Sequence, residues 1–446
     1  MATVVIFGLM TATVLTLVLL PCLYTLKEQG FRRRGSTLRF WFIGTAGLVL
    51  LALPSQAQTL RRESLPALLQ EQKAMQAAEQ QTQAHAWQAK NWAQLPRLQL
   101  EWMGGQYNSI FWDNYFAIRQ ELPLFWQFKA RKEASNATYS LYQSRQEVLA
   151  AELLYNALLV YEEVLYEQKM QALYHEAALM ADSLLAMAKR SNQAGNLSSL
   201  ESNQIQLKSY QYGRLERMHR AALQKALQRL KLYTGTDTQP SDELLAWDMP
   251  MKSAGASHPL EKLWQAEYEQ QKATRRFQRA ESMPTLSIGY FNQSLQGWQG
   301  APGEERYYDA GKRFQGIMLT LNLPLFNSGL HKLQQANRIA EEALRYDMEW
   351  KQQQWQVNKD NNRAELQRLA VELEELQQLY RLVEKQLQQA QQALARGEFD
   401  RMTFLNYYLQ TIDWTADYYT RLYEYNRAVI TWHYHENTLE EAISQF

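Results

Sequence analysis

The 446-residue chain holds one cysteine, Cys22, and its 47 lysines and arginines are almost balanced by 46 acidic residues. No block of basic residues occurs in the body of the chain, so the electrostatic footprint of a nucleic-acid binder is missing. Also missing are a nucleophile–base arrangement, a glycine-rich phosphate loop and any close His/Cys/carboxylate cluster. No catalytic residue, cofactor site or metal site is therefore assigned, and an enzyme reading has no support. His433 and His435 flank Tyr434, and Met249 and Met251 flank Pro250. Residues i and i+2 of a helix point about 200° apart, so the histidine pair cannot share one ion there. Both pairs read as ordinary surface or interface residues. At 12% aromatic and 21% charged, the chain is neither disordered nor poor in core material.

Charge is absent altogether from Met1–Leu26, which is long enough for a transmembrane helix. Lys27, Glu28 and a basic cluster (Arg32, Arg33, Arg34, Arg39) follow, then a 14-residue apolar run, Phe40–Leu53. That second run is short for a bilayer crossing. It reads as a signal peptide, with the basic cluster before it and Ser55-Gln56-Ala57 as a small-residue cleavage site; a second transmembrane helix is the alternative. Cleavage after Ala57 would leave 389 residues with no cysteine, which fits an oxidising compartment. No thiol stands at the cleavage point to carry a lipid anchor.

What is present is said twice. Each copy has short alternating segments ending in Pro-Leu-Phe, at Pro123-Leu124-Phe125 and at Pro324-Leu325-Phe326. Each tripeptide precedes a charged, Gln- and Ala-rich stretch of more than sixty residues that a lone glycine breaks, Gly195 in the first copy and Gly397 in the second. The interval from proline to glycine is 72 residues in one copy and 73 in the other. This is an internal structural repeat. It divides the chain into 1–26, 27–57, a first repeat 58–239, a linker 240–257 and a second repeat 258–446.

Leu98–Trp102, Phe116–Leu122, Leu286–Tyr290 and Ile317–Leu323 alternate with period two and read as strands. One apolar and one polar face suit membrane β-barrel strands, and equally any half-buried antiparallel sheet. Aromatics crowd both pairs (Trp102, Tyr107, Trp112 and Phe116; Tyr290, Phe291, Trp298 and Tyr307), as interfacial girdles require. The loops Gly104–Asn114 and Gln293–Arg313 should be exposed.

Leu366, Leu369, Leu373, Leu376, Tyr380, Val383 and Leu387 step by three and four, the seam of helices packed as coiled coils. As one helix, Lys129–Asn192 would span about 96 Å. Two shorter stretches per copy, Leu60–Asn91 with Leu197–Thr234 and Pro259–Glu281 with Phe399–Asn437, total 70 and 62 residues. Each pair could stack end to end beside its long partner, with Gly195 and Gly397 as the hairpin turns.

In this order and spacing, residues 58–446 resemble the TolC-type outer-membrane efflux factors. Pro324-Leu325-Phe326-Asn327-Ser328-Gly329 matches the family's strand-to-helix motif, whereas the copy at Pro123 lacks the glycine. The resemblance implies a mainly α fold with membrane β: a homotrimer sharing a 12-stranded β-barrel in outer-membrane lipid, continued by an α-helical tunnel across the periplasm. It implies partners too, a periplasmic adaptor (membrane fusion protein) and an inner-membrane RND pump. Met1–Leu26 resembles the last transmembrane helix of a heavy-metal RND pump, which favours metal ions as cargo; drugs and other small molecules stay open. The family's tunnel closes near the turn glycines with carboxylates shortly after them. Here Glu201 lies six residues past Gly195, while Thr403 and Asn406 replace acids after Gly397, with Glu398 and Asp400 nearer that turn. A simpler reading of these acids is helix capping. An adaptor would need one hairpin flanked by compact β domains, whereas this chain has two hairpins and membrane-type strands; a structural coiled-coil protein held at the inner membrane by Met1–Leu26 is the other alternative.

Overall fold

Glycine and proline are absent from 125–193, and the computed structural model forms one helix over Phe125–Gln193. Its 69 residues give a rod of about 104 Å at 1.5 Å per residue. The structure describes residues 60–107, 110–249, 257–323, 328–398 and 400–444. The segments 1–26 and 27–57 and the tripeptide Pro324-Leu325-Phe326 therefore lie outside the described residues.

The helices are α1 (Leu65–Gln70), α2 (Lys73–Lys90), α3 (Phe125–Gln193), α4 (Ser199–Thr234), α5 (Pro259–Glu281), α6 (Ser328–Ala395), α7 (Arg401–His435) and α8 (Leu439–Ser444). Gly329 falls within the first turn of α6. Helices α2 and α4 both run along α3, and α5 and α7 both run along α6, so two short rods do flank each long one. Helix α3 also packs on α5 and α7, which makes it the element common to both copies.

One sequence expectation needs correcting. The stretch Leu60–Asn91 is not one helix: a 3₁₀ turn (Arg62–Ser64), α1 and α2 are separated by a break at which Gln72 is extended (ψ 142°). Its first residues are held instead by the linker. The Leu60 amide donates to the Gln239 carbonyl (3.2 Å), and the Ser241 amide donates to the Leu60 carbonyl (3.2 Å). The linker is core material here, since Leu244 and Trp247 are buried.

At that level Glu162 of α3 is wholly buried and Arg62 is 3% exposed. The Arg62 guanidinium is 2.9 Å from Glu162 Oε1. Trp247 Nε1 donates to Oε1 (3.0 Å), and Asn426 Nδ2 of α7 donates to Oε2 (3.0 Å). Tyr161 Oη donates to Asp242 (2.6 Å) and the Trp247 amide to Asn426 Oδ1 (3.1 Å). Burial pushes the Glu162 carboxyl up, and the Arg62 charge with the two donated bonds opposes that push. Leu158, Val164, Leu165, Leu230, Val429 and Ile430 surround the group.

At the start of α5 and the end of α7 a second set of polar groups is enclosed by rings. His258 caps α5, its Nδ1 accepting from the Leu260 amide (3.2 Å). Its ring lies 4.6 Å from Trp355 and 4.7 Å from Tyr434, and His435 lies 4.7 Å from Trp355. His433 points elsewhere, toward Thr438 Oγ1 at 2.8 Å. The two histidines thus address different neighbours, and both stand inside the helix layer. Burial holds His258 down to about 4, helped by His435 and Lys359; burial alone holds His433 down to about 4.

Two outcomes follow. Removing one member of a buried ion pair strands the other, so Glu162→Leu should lose about 3–5 kcal/mol. Adding Arg62→Met to Glu162→Leu should recover most of that loss, read from denaturant unfolding in micelles as a double-mutant cycle. His258 and His433 are neutral when folded, and burial lowers His435 in the same direction, so their contribution is complete above pH 6.5 and declines as pH falls toward 4. The unfolding midpoint should therefore drop between pH 7 and pH 5, and by less in His258→Asn, which keeps a capping acceptor.

Candidate functional site: the sheet and the helix-turn end

Alternation fixes two faces on a four-stranded antiparallel sheet of β1 (Gln99–Gly105), β2 (Asp113–Leu122), β3 (Thr285–Ser294) and β6 (Arg313–Asn322), in the order β1-β2-β3-β6. The strands are longer than the alternating segments alone suggest. The pairs Leu100–Ile118, Ile118–Tyr290 and Tyr290–Ile317 stand opposite one another across the sheet. So do Trp102–Phe116, Gln120–Ile288 and Ile288–Leu319. Opposed residues share a face, so one side of the sheet is an apolar field.

That field is uncovered. Ile317 is 76% exposed, Leu319 69%, Leu100 67% and Trp102 69%. Exposed apolar surface on this scale marks an interaction surface. The opposite face carries Gln99, Glu101, Arg119, Glu121, Ser287, Thr320 and Asn322, with Arg119 3.4 Å from Glu101. Among the described residues, β1 pairs only with β2 and β6 only with β3, so each has a free edge.

The loop after β3 contains a feature the sequence reading missed: a small hairpin of β4 (Gly297–Gln299) and β5 (Arg306–Tyr308). Asp113, wholly buried, fastens it to the first copy by accepting from Ser294 Oγ (3.0 Å) and the Gln296 amide (2.9 Å). The Gly-Trp-Gln and Arg-Tyr-Tyr pieces are too short to alternate legibly. The lone acid at the head of β2 was the available signal.

At the far end of the rods the two turns are alike. Gly195 (φ 75°) and Gly397 (φ 77°) are left-handed, a conformation that suits glycine. The Asn196 amide donates to the Ser191 carbonyl and the Glu398 amide to the Ala393 carbonyl, both at 2.9 Å, as in a Schellman termination. Ala188, Ile205, Ala390 and Phe404 share one apolar cluster, which puts both turns at the same end.

The acids beyond the turns are capping groups. Ser198 Oγ accepts from the Glu201 amide (3.2 Å), while the Ser198 amide donates to Glu201 Oε2 (3.0 Å), a reciprocal capping box. In the second copy Asp400 is itself the cap, accepting from the Thr403 amide and from Thr403 Oγ1, both at 2.8 Å. Positions 198 and 400, like 201 and 403, are 202 apart, as are Gly195 and Gly397. The capping carboxylate stands at the third helical position in the first copy and at the cap itself in the second, so each cap keeps one. Donation from Ser198 holds the Glu201 carboxyl below its ordinary value, and the Thr403 amide does the same for Asp400. Glu398 pairs with Arg396 at 3.4 Å, and Asn406 follows on α7, half-buried.

No protein-family model matches the sequence, and no curated protein matches it closely enough to count as a relative. Solved structures do match. The CmeC outer membrane channel of Campylobacter jejuni aligns over 84% of this chain and 85% of its own, with 12% identity and a TM-score of 0.68. CusC, described as forming a transmembrane channel, aligns over 86% and 95% with 14% identity and a TM-score of 0.65. The open state of the MtrE outer membrane channel of Neisseria gonorrhoeae aligns over 84% and 88% with 13% identity and a TM-score of 0.64. Over most of its length the chain thus has the fold of these outer membrane channels.

Proposed function

We propose that the protein is the outer-membrane channel of a tripartite efflux system, a passive conduit and not an enzyme. The sheet carries this reading. Its apolar face needs lipid, and its two free edges need partners, because an open edge is not tolerated in a bilayer. Four strands from each of three copies would close a 12-stranded barrel in a homotrimer. A second feature supports trimerisation: Ile339, Tyr346, Trp350 and Val357 on α6 are exposed at spacings of seven, four and seven, a seam suited to another helix.

In this reading the rods continue the barrel as a periplasmic tunnel. The turn end meets a periplasmic adaptor and, through it, an inner-membrane RND pump. Heavy-metal cations are the favoured cargo, on the pump-like character of Met1–Leu26; drugs or other small molecules are the alternative. The tunnel gate lies at the turns, with Glu201 and Asp400 as its charged groups, Glu398 beside them and Thr403 and Asn406 as uncharged wall.

Fractionation should find heat-resistant trimers in the outer membrane, and a solely inner-membrane location would end this reading. A deletion strain should become sensitive to metals in a panel of metals and drugs; sensitivity to drugs alone would remove the metal assignment. Glu201→Gln and Asp400→Asn remove charge but keep an acceptor for the caps. Together they should lower the cation selectivity of single channels, and unchanged selectivity would leave the two acids as caps only.

A further inference from the structure

The strands divide the chain's charge unevenly. Take the twelve residues adjoining each long strand on its helix side: 87–98, 123–134, 273–284 and 323–334. They hold nine lysines and arginines against two acids, Glu133 and Glu281. The residues joining the strands at the opposite end, 106–112 and 295–312, hold two basic residues and three acids. A chain of net charge +1 thus carries a collar of +7 at one rim of its sheet.

Pairing does not neutralise this collar. Arg276 meets Glu133 at 3.6 Å, and Arg275 meets Glu341. Lys90, Arg97, Lys129, Lys132, Arg279 and Lys332 form no ion pair among the described residues. Two of them lie over indole rings, Lys90 at 4.4 Å from Trp87 and Lys132 at 5.2 Å from Trp92. Trp87 is 70% exposed and Phe125 77%. The exposed Leu95 and Leu98 carry the apolar field of the sheet down to this level. Rings at a membrane surface with cationic stems reaching past them form an arrangement suited to headgroup depth.

We infer that this collar binds the phosphate groups of anionic phospholipids in the leaflet on the helix side of the barrel. The inference rests on the membrane-channel reading above. It follows from charge complementarity and from continuity with the lipid-facing field. Each basic residue near an anionic surface is worth about a fivefold preference at low salt, and the effect fades as the Debye length shrinks from about 10 Å at 0.1 M to about 3 Å at 1 M.

The test uses the full-length trimer in vesicles of phosphatidylcholine containing brominated phosphatidylglycerol or brominated phosphatidylcholine. Bromine near the collar quenches tryptophan, so the ratio of the two quenching curves gives lipid preference. The wild type should prefer phosphatidylglycerol by at least fivefold at 50 mM salt and lose most of that preference at 1 M. The variant K90Q/K129Q/K132Q should fall toward a ratio of one while still inserting and conducting. Equal quenching by both lipids in a conducting wild-type channel would overturn the inference and leave the channel reading intact. A variant with altered ion selectivity and unchanged lipid preference would place the charges in the lumen and overturn it as well. Failure to insert or conduct would fall on the channel reading itself.

Discussion

A single buried carboxylate ties four separate stretches of this chain together. Glu162 belongs to the long helix of the first copy, Arg62 to the entering segment, Trp247 to the linker and Asn426 to the second copy. Burying one charge costs several kcal/mol unless it is paired and its remaining lone pairs are filled. The chain meets that condition only when all four stretches are in place. Apolar seams between helices tolerate sliding by a heptad, but this cluster has one arrangement that satisfies it. It thereby fixes the axial position of the rods, and with it the heights of the sheet and of the turns.

The two copies are scaffold duplicates down to individual hydrogen bonds. The turn geometry repeats at an interval of 202 residues, and so does the end of the short helix, where left-handed Gly235 (φ 73°) in one copy corresponds to left-handed Asn437 (φ 57°) in the other. Asparagine tolerates that conformation better than other side-chain-bearing residues. The sequence contrast between Glu201 and Thr403 therefore overstates the difference between the turns. Ser198 with Glu201 and Asp400 with Thr403 exchange the acid and the hydroxyl between two positions of one motif.

Legibility followed period and punctuation. The alternation of Ile317–Leu323, the stepping of Leu366–Leu387 and the glycines at 195 and 397 are local signals, and each marked its element correctly. What escaped depends on distant partners. The non-helical start of the first stretch is held by Leu60 pairing with Pro240, 180 residues away. Trp247 reads as part of a linker until its indole is seen donating to Glu162. Glu162 itself left a faint trace, since it stands four residues after Leu158 and three before Leu165 on a buried helix face. The basic collar escaped because its residues are spread over four segments that only the sheet brings together.

The pairing of β2 with β3 joins residues 164 to 178 positions apart, whereas each flanking pair is a local hairpin. Closing so long a loop is entropically unfavourable until other contacts have drawn its ends together, and sheets built on distant pairings form slowly. The helical rods, anchored around Glu162, are what bring β2 and β3 side by side. This topology favours assembly of the helical body before the continuous apolar face is completed. An apolar face completed last is exposed for the shortest time before it is covered, and that shortens the window for aggregation.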